Sequence, residues 1–433
     1  ERGIMASLEK RGVDWSIPKA TAPGAQARVT VSTNLENGTI QAGKTLRITV
    51  TVYNSGDAPF VRLSAMTESA DPQVDDREFV FGRIEPGKSQ TWTTRFELHT
   101  ASRARDEEIK ISFRTPEGVI PEPHKVRYKI KPLERPQFAM TYRVDDTRSG
   151  NGDGLLQQGE SVDLVMKVRR LNATPVKELL GVLRNDYQAE VRQVFVERGR
   201  IEQSWTPDQL ESELRFQIRV KPQVTGPVRL ETVVLDTDTG SQITGYLEVV
   251  ATDSRRRLKS SRVMVTGEGS GGLVRSHYSQ HAPIVAKLVG RRAAYEGPSG
   301  WYRIELDNGE YGWLKTPKVS PGPPGSKVLE GVEEQVPVAF HMNDQPPLVT
   351  ADESLKIAGQ TTGAQTSKDV RIYLNQRKVY FQPRKSENGQ KPLNFETHLA
   401  LKKGVNRVDV LVRSEGEFIN SKTFWVRRME QEK

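Results

Sequence analysis

The chain has 433 residues, 27% of them charged and 35% hydrophobic, and 64 Lys and Arg against 55 Asp and Glu give a net charge of +9. At roughly 100–200 residues per domain this length suggests about two to four domains, and the composition is polar without being that of a disordered polyelectrolyte. No cysteine is present, which excludes disulfides, thiol catalysis and cysteine-held zinc or iron–sulfur centres, and no stretch approaches the roughly 18 consecutive apolar residues of a membrane span.

The first residue is Glu1, and no charged-then-apolar leader follows it. The sequence is therefore expected to be a fragment or a processed chain, with any targeting signal upstream. Ile4, Met5 and Leu8 have helical spacing and Gly12 stops the pattern. A Pro/Ala/Gly-rich linker runs from Pro18 to Ala27. Residues 1–27 thus read as a helix and linker at the end of a missing upstream domain.

From Arg28 the period changes to two. Leu46, Ile48, Val50 and Val52 alternate with Arg47, Thr49 and Thr51, the pattern of a half-buried strand. Further apolar alternations follow around Phe79–Phe81, Trp92–Leu98, Ile109–Phe113 and Val126–Ile130, separated by Pro/Gly turns. About seven short strands in roughly 100 residues is the signature of a β-sandwich, placed at 28–134. Residues 135–252 repeat the plan. Gly43 precedes an alternating strand and Pro59 follows sixteen residues on; Gly159, Val162–Val168 and Pro175 have the same spacing. Trp205 to Leu210 is the one candidate there for a short helical turn.

Residues 253–326 differ. From Asp253 to Lys327 there are 13 Lys and Arg against 6 Asp and Glu, so most of the surplus charge sits in under a fifth of the chain. Pro/Gly-rich residues 320–326 form a second linker. Residues 327–433 carry a last set of alternating strands, including Val370–Leu374, Val379–Phe381 and Val405–Val412, and end in a charged tail. The reading is all-β throughout.

The sharpest chemical signal is Ser149–Gly150–Asn151–Gly152–Asp153–Gly154 with Glu160. A calcium loop of the EF-hand type needs oxygens at positions 1, 3 and 5, glycine at 6 and a bidentate glutamate at 12. Counted from Ser149, those places hold Ser149, Asn151, Asp153, Gly154 and Glu160. Asp145 and Asp146 stand ready to replace the carboxylate missing at position 1. With strands rather than helices at its flanks, the loop is expected to hold a structural Ca2+ at the start of the second sandwich; a solvated Gly-rich loop is the plainer alternative.

Catalytic signals are poor. The six histidines are His99, His124, His277, His281, His341 and His398, and only His277 and His281 lie close in sequence. That pair lacks the glutamate of a zincin and reads as two polar loop residues. No nucleophile elbow and no phosphate-cradling loop is present. Arg255, Arg256, Arg257, Lys259 and Arg262 could touch phosphate or an anionic surface, but an exposed linker is the preferred reading and no nucleic-acid partner is expected. Asp307–Asn308–Gly309 is a hairpin turn joining Trp301–Leu306 to Glu310–Leu314. It brings together Trp301, Tyr302, Tyr311 and Trp313, the best candidates for a ligand groove, although some of them must be core.

Leu273–Val274–Arg275–Ser276, Ala282 to Leu288, Gly300–Trp301–Tyr302–Arg303–Ile304 and Gly312–Trp313–Leu314 together resemble a bacterial SH3-like domain. The segment 291–297 is shorter and poorer in β-branched residues than that family's strand. Such modules often bind cell-wall peptides, so the resemblance implies an envelope or secreted setting. The two sandwiches are similar to bacterial immunoglobulin-like modules of secreted and surface proteins, and 151–160 is similar to their acidic leading loop. The resulting expectation is tandem immunoglobulin-like β-sandwiches, an SH3-like β-barrel, an immunoglobulin-like C-terminal domain and a short N-terminal helix.

The domain order, with the opening Ile4 to Trp15 and a last unit carrying Leu374–Asn375–Gln376–Arg377 and Gly404–Val405–Asn406, resembles the region after the protease core of large bacterial carboxyl-terminal processing (tail-specific) serine peptidases. In that family a PDZ domain and a Ser/Lys core lie upstream; nothing here matches their nucleophile or lysine, and no catalytic residue is carried over. The resemblance implies a non-catalytic array in the periplasm or outside the cell. Its partners would be the upstream peptidase domain in the same polypeptide and peptidoglycan or envelope proteins. The alternative is a free-standing adhesin or wall-binding protein.

Overall fold

Period-two alternation governs this chain, and the computed structural model is correspondingly built of strands, with one α-helix, Arg2–Glu9, among the described residues. Those are residues 2–16, 24–116, 121–186, 192–260, 262–267, 272–288, 290–307, 309–315, 318–320, 338–344, 346–362, 367–384, 392–414, 417 and 419–429. The 320–326 linker beyond Ser320, Asn308 of the hairpin turn and the tail after Met429 lie outside them. The architecture is all-β, with tandem immunoglobulin-like sandwiches and a small barrel. The chain divides into two units, Glu1–Glu134 and Arg135–Lys433.

In the first unit, strand Thr45–Asn54 turns Leu46, Ile48, Val50 and Val52 inward, all fully buried. It pairs antiparallel with Ala27–Thr33 and Ser89–Glu97. This three-stranded sheet packs on a five-stranded one that contributes Leu63, Phe79, Phe81, Ile109 and Ile111 to the same core. Burying each such side chain contributes about 1.5–3 kcal/mol. The opposite face is wet: Thr49 meets Thr93 and Thr51 meets Thr91 through hydroxyl pairs of 2.9 Å. The segment after the helix also belongs here. Val13 is buried and Arg83 N–H donates to the Asp14 carbonyl at 2.7 Å. Gly82 has φ +73°, and a Cβ there would stand 2.3 Å from that carbonyl oxygen, so only glycine permits the approach.

The second unit opens with the repeated sandwich. Gly159 has φ +77°, as Gly43 has, and each leads into the long alternating strand, here Ser161–Arg170. That strand lies between Phe138–Asp145 and Glu211–Val220. The facing sheet is Arg200–Ser204, Glu178–Asn185, Gly226–Asp236 and Gln242–Ala251. Trp205–Leu210 makes a single turn, closed by the Gln209 N–H on the Thr206 carbonyl at 3.0 Å, and the buried Trp205 ring donates its Nε1–H to the Gln209 carbonyl at 2.7 Å.

The C-terminal domain sets the three-stranded sheet Ala339–Met342, Ser354–Thr362 and Asn394–Ala400 against Arg377–Pro383, Ser367–Leu374, Gly404–Ser414 and Ile419–Arg428. The last strand meets the second sandwich edge to edge at the single pair Ile419–Met140, so the two domains share one sheet. The basic segment forms a small seven-stranded sheet with the order Ile284–Lys287, Leu273–Arg275, Tyr311–Lys315, Trp301–Glu305, Arg291–Glu296, Arg262–Thr266 and Lys318–Ser320. Despite its few β-branched residues, Arg291–Glu296 is a paired strand of this barrel.

Candidate functional site

The loop 145–160 folds on itself. Both carboxylate oxygens of Glu160 accept backbone N–H groups, from Asn151 at 3.0 Å and Gln157 at 2.9 Å. Asp146 accepts from the Gly154 N–H at 2.6 Å, Asn151 from Asp153 N–H at 2.9 Å, and Asp153 from Leu155 N–H at 2.8 Å and the Gln157 amide at 3.1 Å. A Cβ at Gly150 would lie 2.5 Å from Glu160 Oε1, so glycine is what lets the loop close. Four of the six candidate ligands, Asp146, Asn151, Asp153 and Glu160, thus share one small network. The other two are engaged elsewhere: Asp145 with Thr147, Arg143 and Arg215, and Ser149 with Asp163.

Burial pushes the carboxyls of Asp146 and Glu160 above the usual range, and the charge of Asp153 adds to the effect on both. Burial also acts to raise Asp145, but the Thr147 bonds and the two arginines hold it below that range. The donor set is all oxygen, the kind that calcium takes. Among the described residues no three acidic or histidine side chains stand close enough to hold an ion in this geometry.

The aromatic residues divide between two places. Trp301 and Trp313 are only 4% and 2% exposed, and they pack with Tyr278 and with Leu155 from the loop just described. The Tyr278 and Trp313 rings lie 4.9 Å apart, and Tyr278 Oη donates to the Val250 carbonyl at 2.7 Å. This cluster fastens the barrel to the second sandwich, so these two tryptophans are chiefly junction residues. Tyr302 packs against the barrel's own core. Tyr311 is 42% exposed.

Tyr311 faces a groove of about 560 Å³, lined also by Lys259, Arg262, Arg292, Tyr295 and Glu305. That volume is in the range of sites that hold a small ligand or one segment of a longer one. Arg303 closes its floor, donating to the carbonyls of Asp153 at 2.7 Å and Gly152 at 3.1 Å while its guanidinium lies 3.5 Å from the Tyr311 ring centre. One residue therefore touches the loop, the junction and the groove. Lys259 and Arg262 belong to the basic run of the sequence, whereas Tyr295 and Arg292 are not among its candidates; charge density is the signal that points to Arg292, and no charge marks Tyr295.

The close histidines do not form a metal pair. His277 is fully buried, with Nε2 3.1 Å from the Val250 N–H, and burial pushes its pKa down to about 3. His281 lies half exposed, 4.0 Å from Glu248.

Among the described residues no helix is long and apolar enough to cross a membrane. No family model and no curated protein matches this chain. Among solved structures, the fibronectin(III)-like modules of CbhA from Clostridium thermocellum align over 53% of this chain and 96% of their own length, with 10% identity and a TM-score of 0.20. Red sea bream transglutaminase aligns over 58% of this chain and 33% of its own, with 12% identity and a TM-score of 0.20. The C-terminal domain of the antigen I/II-family protein AspA from Streptococcus pyogenes aligns over 52% and 99%, with 11% identity and a TM-score of 0.21. Likenesses this loose say nothing of what this chain binds.

Proposed function

We propose that the chain is a non-catalytic β-domain array of a cell-envelope serine peptidase of the carboxyl-terminal processing type, and that it positions the protease or its substrates at the cell wall. The peptidase part of this reading rests on the order of domains and the opening segment. The positioning part rests on one observation. Leu155, Tyr278, Trp301 and Trp313 bury each other where the barrel meets the second sandwich, while the groove beside them stays open. A ligand held in that groove is held by the barrel and the second sandwich together, not by a barrel swinging on a linker. That is what a positioning device requires: its entropy of orientation is lost on folding, before the ligand arrives.

The same reading puts the chain in the periplasm or outside the cell, with peptidoglycan or envelope proteins as partners and a peptidase domain in the same polypeptide. It also includes a structural Ca2+ at loop 145–160, for which Asp146, Asn151, Asp153 and Glu160 would have to draw closer together than they stand. The test is retention of the intact chain on isolated cell-wall sacculi. The proposal expects retention; free passage through the sacculi would overturn wall positioning. The coding sequence before Glu1 tests the peptidase part. An in-frame PDZ and Ser/Lys core is expected, and a leader placed directly before Glu1 would instead make the chain a free-standing wall-binding protein.

A further inference from the structure

The groove is distinguished by its surplus of cations over acids. Arg255, Arg256 and Arg257 are exposed on the segment that runs into it, and Lys259, Arg262 and Arg292 line it. Lys259 is paired with Glu296 at 2.8 Å and Arg292 with Asp307 at 3.1 Å. Arg262 has no carboxylate within ion-pair distance among the described residues; its Nε–H donates to the Tyr295 hydroxyl at 2.8 Å. Glu305 is the one acid among the described lining residues. The cations thus follow one another along the chain from 255 through 259 to 262, with Arg292 on the neighbouring strand.

We infer that this groove, with the basic segment leading into it, binds a linear polyanion that repeats phosphate or carboxylate groups and carries no aromatic bases. A row of cations favours a chain of anions over one small anion, because each added contact releases further counterions. The tyrosines argue against nucleic acid. Single-stranded nucleic acid is gripped by stacking its bases on aromatic faces, but the Tyr295 ring already has Arg262 5.1 Å from its centre and Tyr311 has Arg303 at 3.5 Å. Arg303 spends its Nη groups on the Asp153 and Gly152 carbonyls, but Arg262, with only its Nε–H given to Tyr295, keeps its Nη groups for anionic oxygens. This inference names the ligand class of the groove in the positioning reading, and rests on that reading for its biological setting.

The experiment titrates the intact chain with inorganic polyphosphate, polygalacturonate, neutral dextran and oligo-dT, at low and at physiological salt. Binding of polyphosphate or polygalacturonate that weakens with salt is expected, and the better of the two identifies the anionic group. Dextran should not bind, and oligo-dT should bind more weakly than the better polyanion. The exposed pair Arg256→Glu with Arg262→Glu should weaken polyanion binding by on the order of tenfold. An equal charge change on the C-terminal domain, Arg377→Glu with Lys378→Glu, should cost no more than about twofold, since exposed charges beyond a Debye length are largely screened. No binding of either polyanion, equal losses in the two double variants, or oligo-dT matching the polyanions would each overturn the inference. It can fail separately from wall positioning. Sacculi retained equally by wild type and the Arg256/Arg262 variant would leave positioning intact and remove the groove's role; groove-dependent polyanion binding without sacculi retention would do the reverse.

Discussion

The two sandwiches share a plan but treat their outer faces differently. In the first, the core is apolar and the outer face of its three-stranded sheet meets water through threonine pairs. In the second, part of the outer face of the four-stranded sheet is covered. Glu231, Thr232 and Thr244 are buried, and across the junction the C-terminal domain supplies Arg407 and Asp409, also buried. Arg407 reaches Glu231 at 3.0 Å and Asp409 at 3.1 Å, Tyr246 Oη donates to Asp409 at 3.1 Å, and the Tyr246 ring stacks on Tyr373 at 4.1 Å. A charge removed from water must meet its counter-charge or be very costly. The same repeated unit is therefore self-sufficient in one place and dependent on its neighbours in the other.

That contrast can be broken most directly at its buried charges. Asp409→Ala leaves Arg407 half-paired and strands the Thr423 and Tyr246 hydroxyls; removing one partner of such a pair costs about 3–5 kcal/mol. Calorimetry should show the transition of residues 135–433 falling while that of residues 1–134 stays in place. Trp313→Ala should cost a similar or slightly smaller amount, about 3 kcal/mol or more for an aromatic lost from a packed site, again in the second unit alone.

Acid should act on the same unit through His277. Its folded pKa of about 3 lies below the ordinary 6.5, so the unfolded chain binds the proton first. The stability held by the neutral ring is fully present above about pH 6.5 and is lost as pH falls towards 3, at up to about 1.4 kcal/mol per pH unit. Asp146 and Glu160 act in the opposite sense. Their raised carboxyls take up protons in the folded state first, so acid favours the fold at the loop. His277→Gln should remove the destabilising arm and leave the other, as read from Tm against pH.

Smaller effects sharpen the comparison. Calcium should raise the Tm of the second unit over that in chelator, by binding the folded state alone, and Asp153→Ala should abolish the rise; equal Tm values with calcium and with chelator would remove the ion from the account. In the first unit Thr51→Ala deletes an exposed cross-strand pair and should cost only about 0.2–1 kcal/mol.

Much of the fold was legible because inward faces alternate cleanly: Leu46 to Val52 and Val162 to Val168 announce their strands and their kinship. What was hidden is instructive. Along Arg407–Val408–Asp409–Val410 the alternation marks a half-exposed strand with its charges in water, yet the strand is buried on both faces from Asn406 onward. Period two reports which residues share a face, not what covers the other one. The same limit applied to the candidate site. The hairpin pairing of Trp301–Glu305 with Tyr311–Lys315 was evident from its turn, but that a neighbouring domain would cover Trp301 and Trp313 and leave Tyr311 beside a basic groove depends on tertiary contacts no local spacing encodes. The basic run at 255–262 divides: Arg255, Arg256 and Arg257 are exposed, as a linker would have them, while Lys259 and Arg262 line the groove.

The account stands on the second sandwich, the barrel and the C-terminal domain acting as one body that presents the groove. Differential scanning calorimetry of the intact chain, wild type against Trp313→Ala, tests this most directly. The account predicts a single transition for the second sandwich, barrel and C-terminal domain, shifted down as a whole by the substitution, beside an unmoved transition from the first unit. A barrel that melts separately, with Trp313→Ala moving that melt alone, would contradict it.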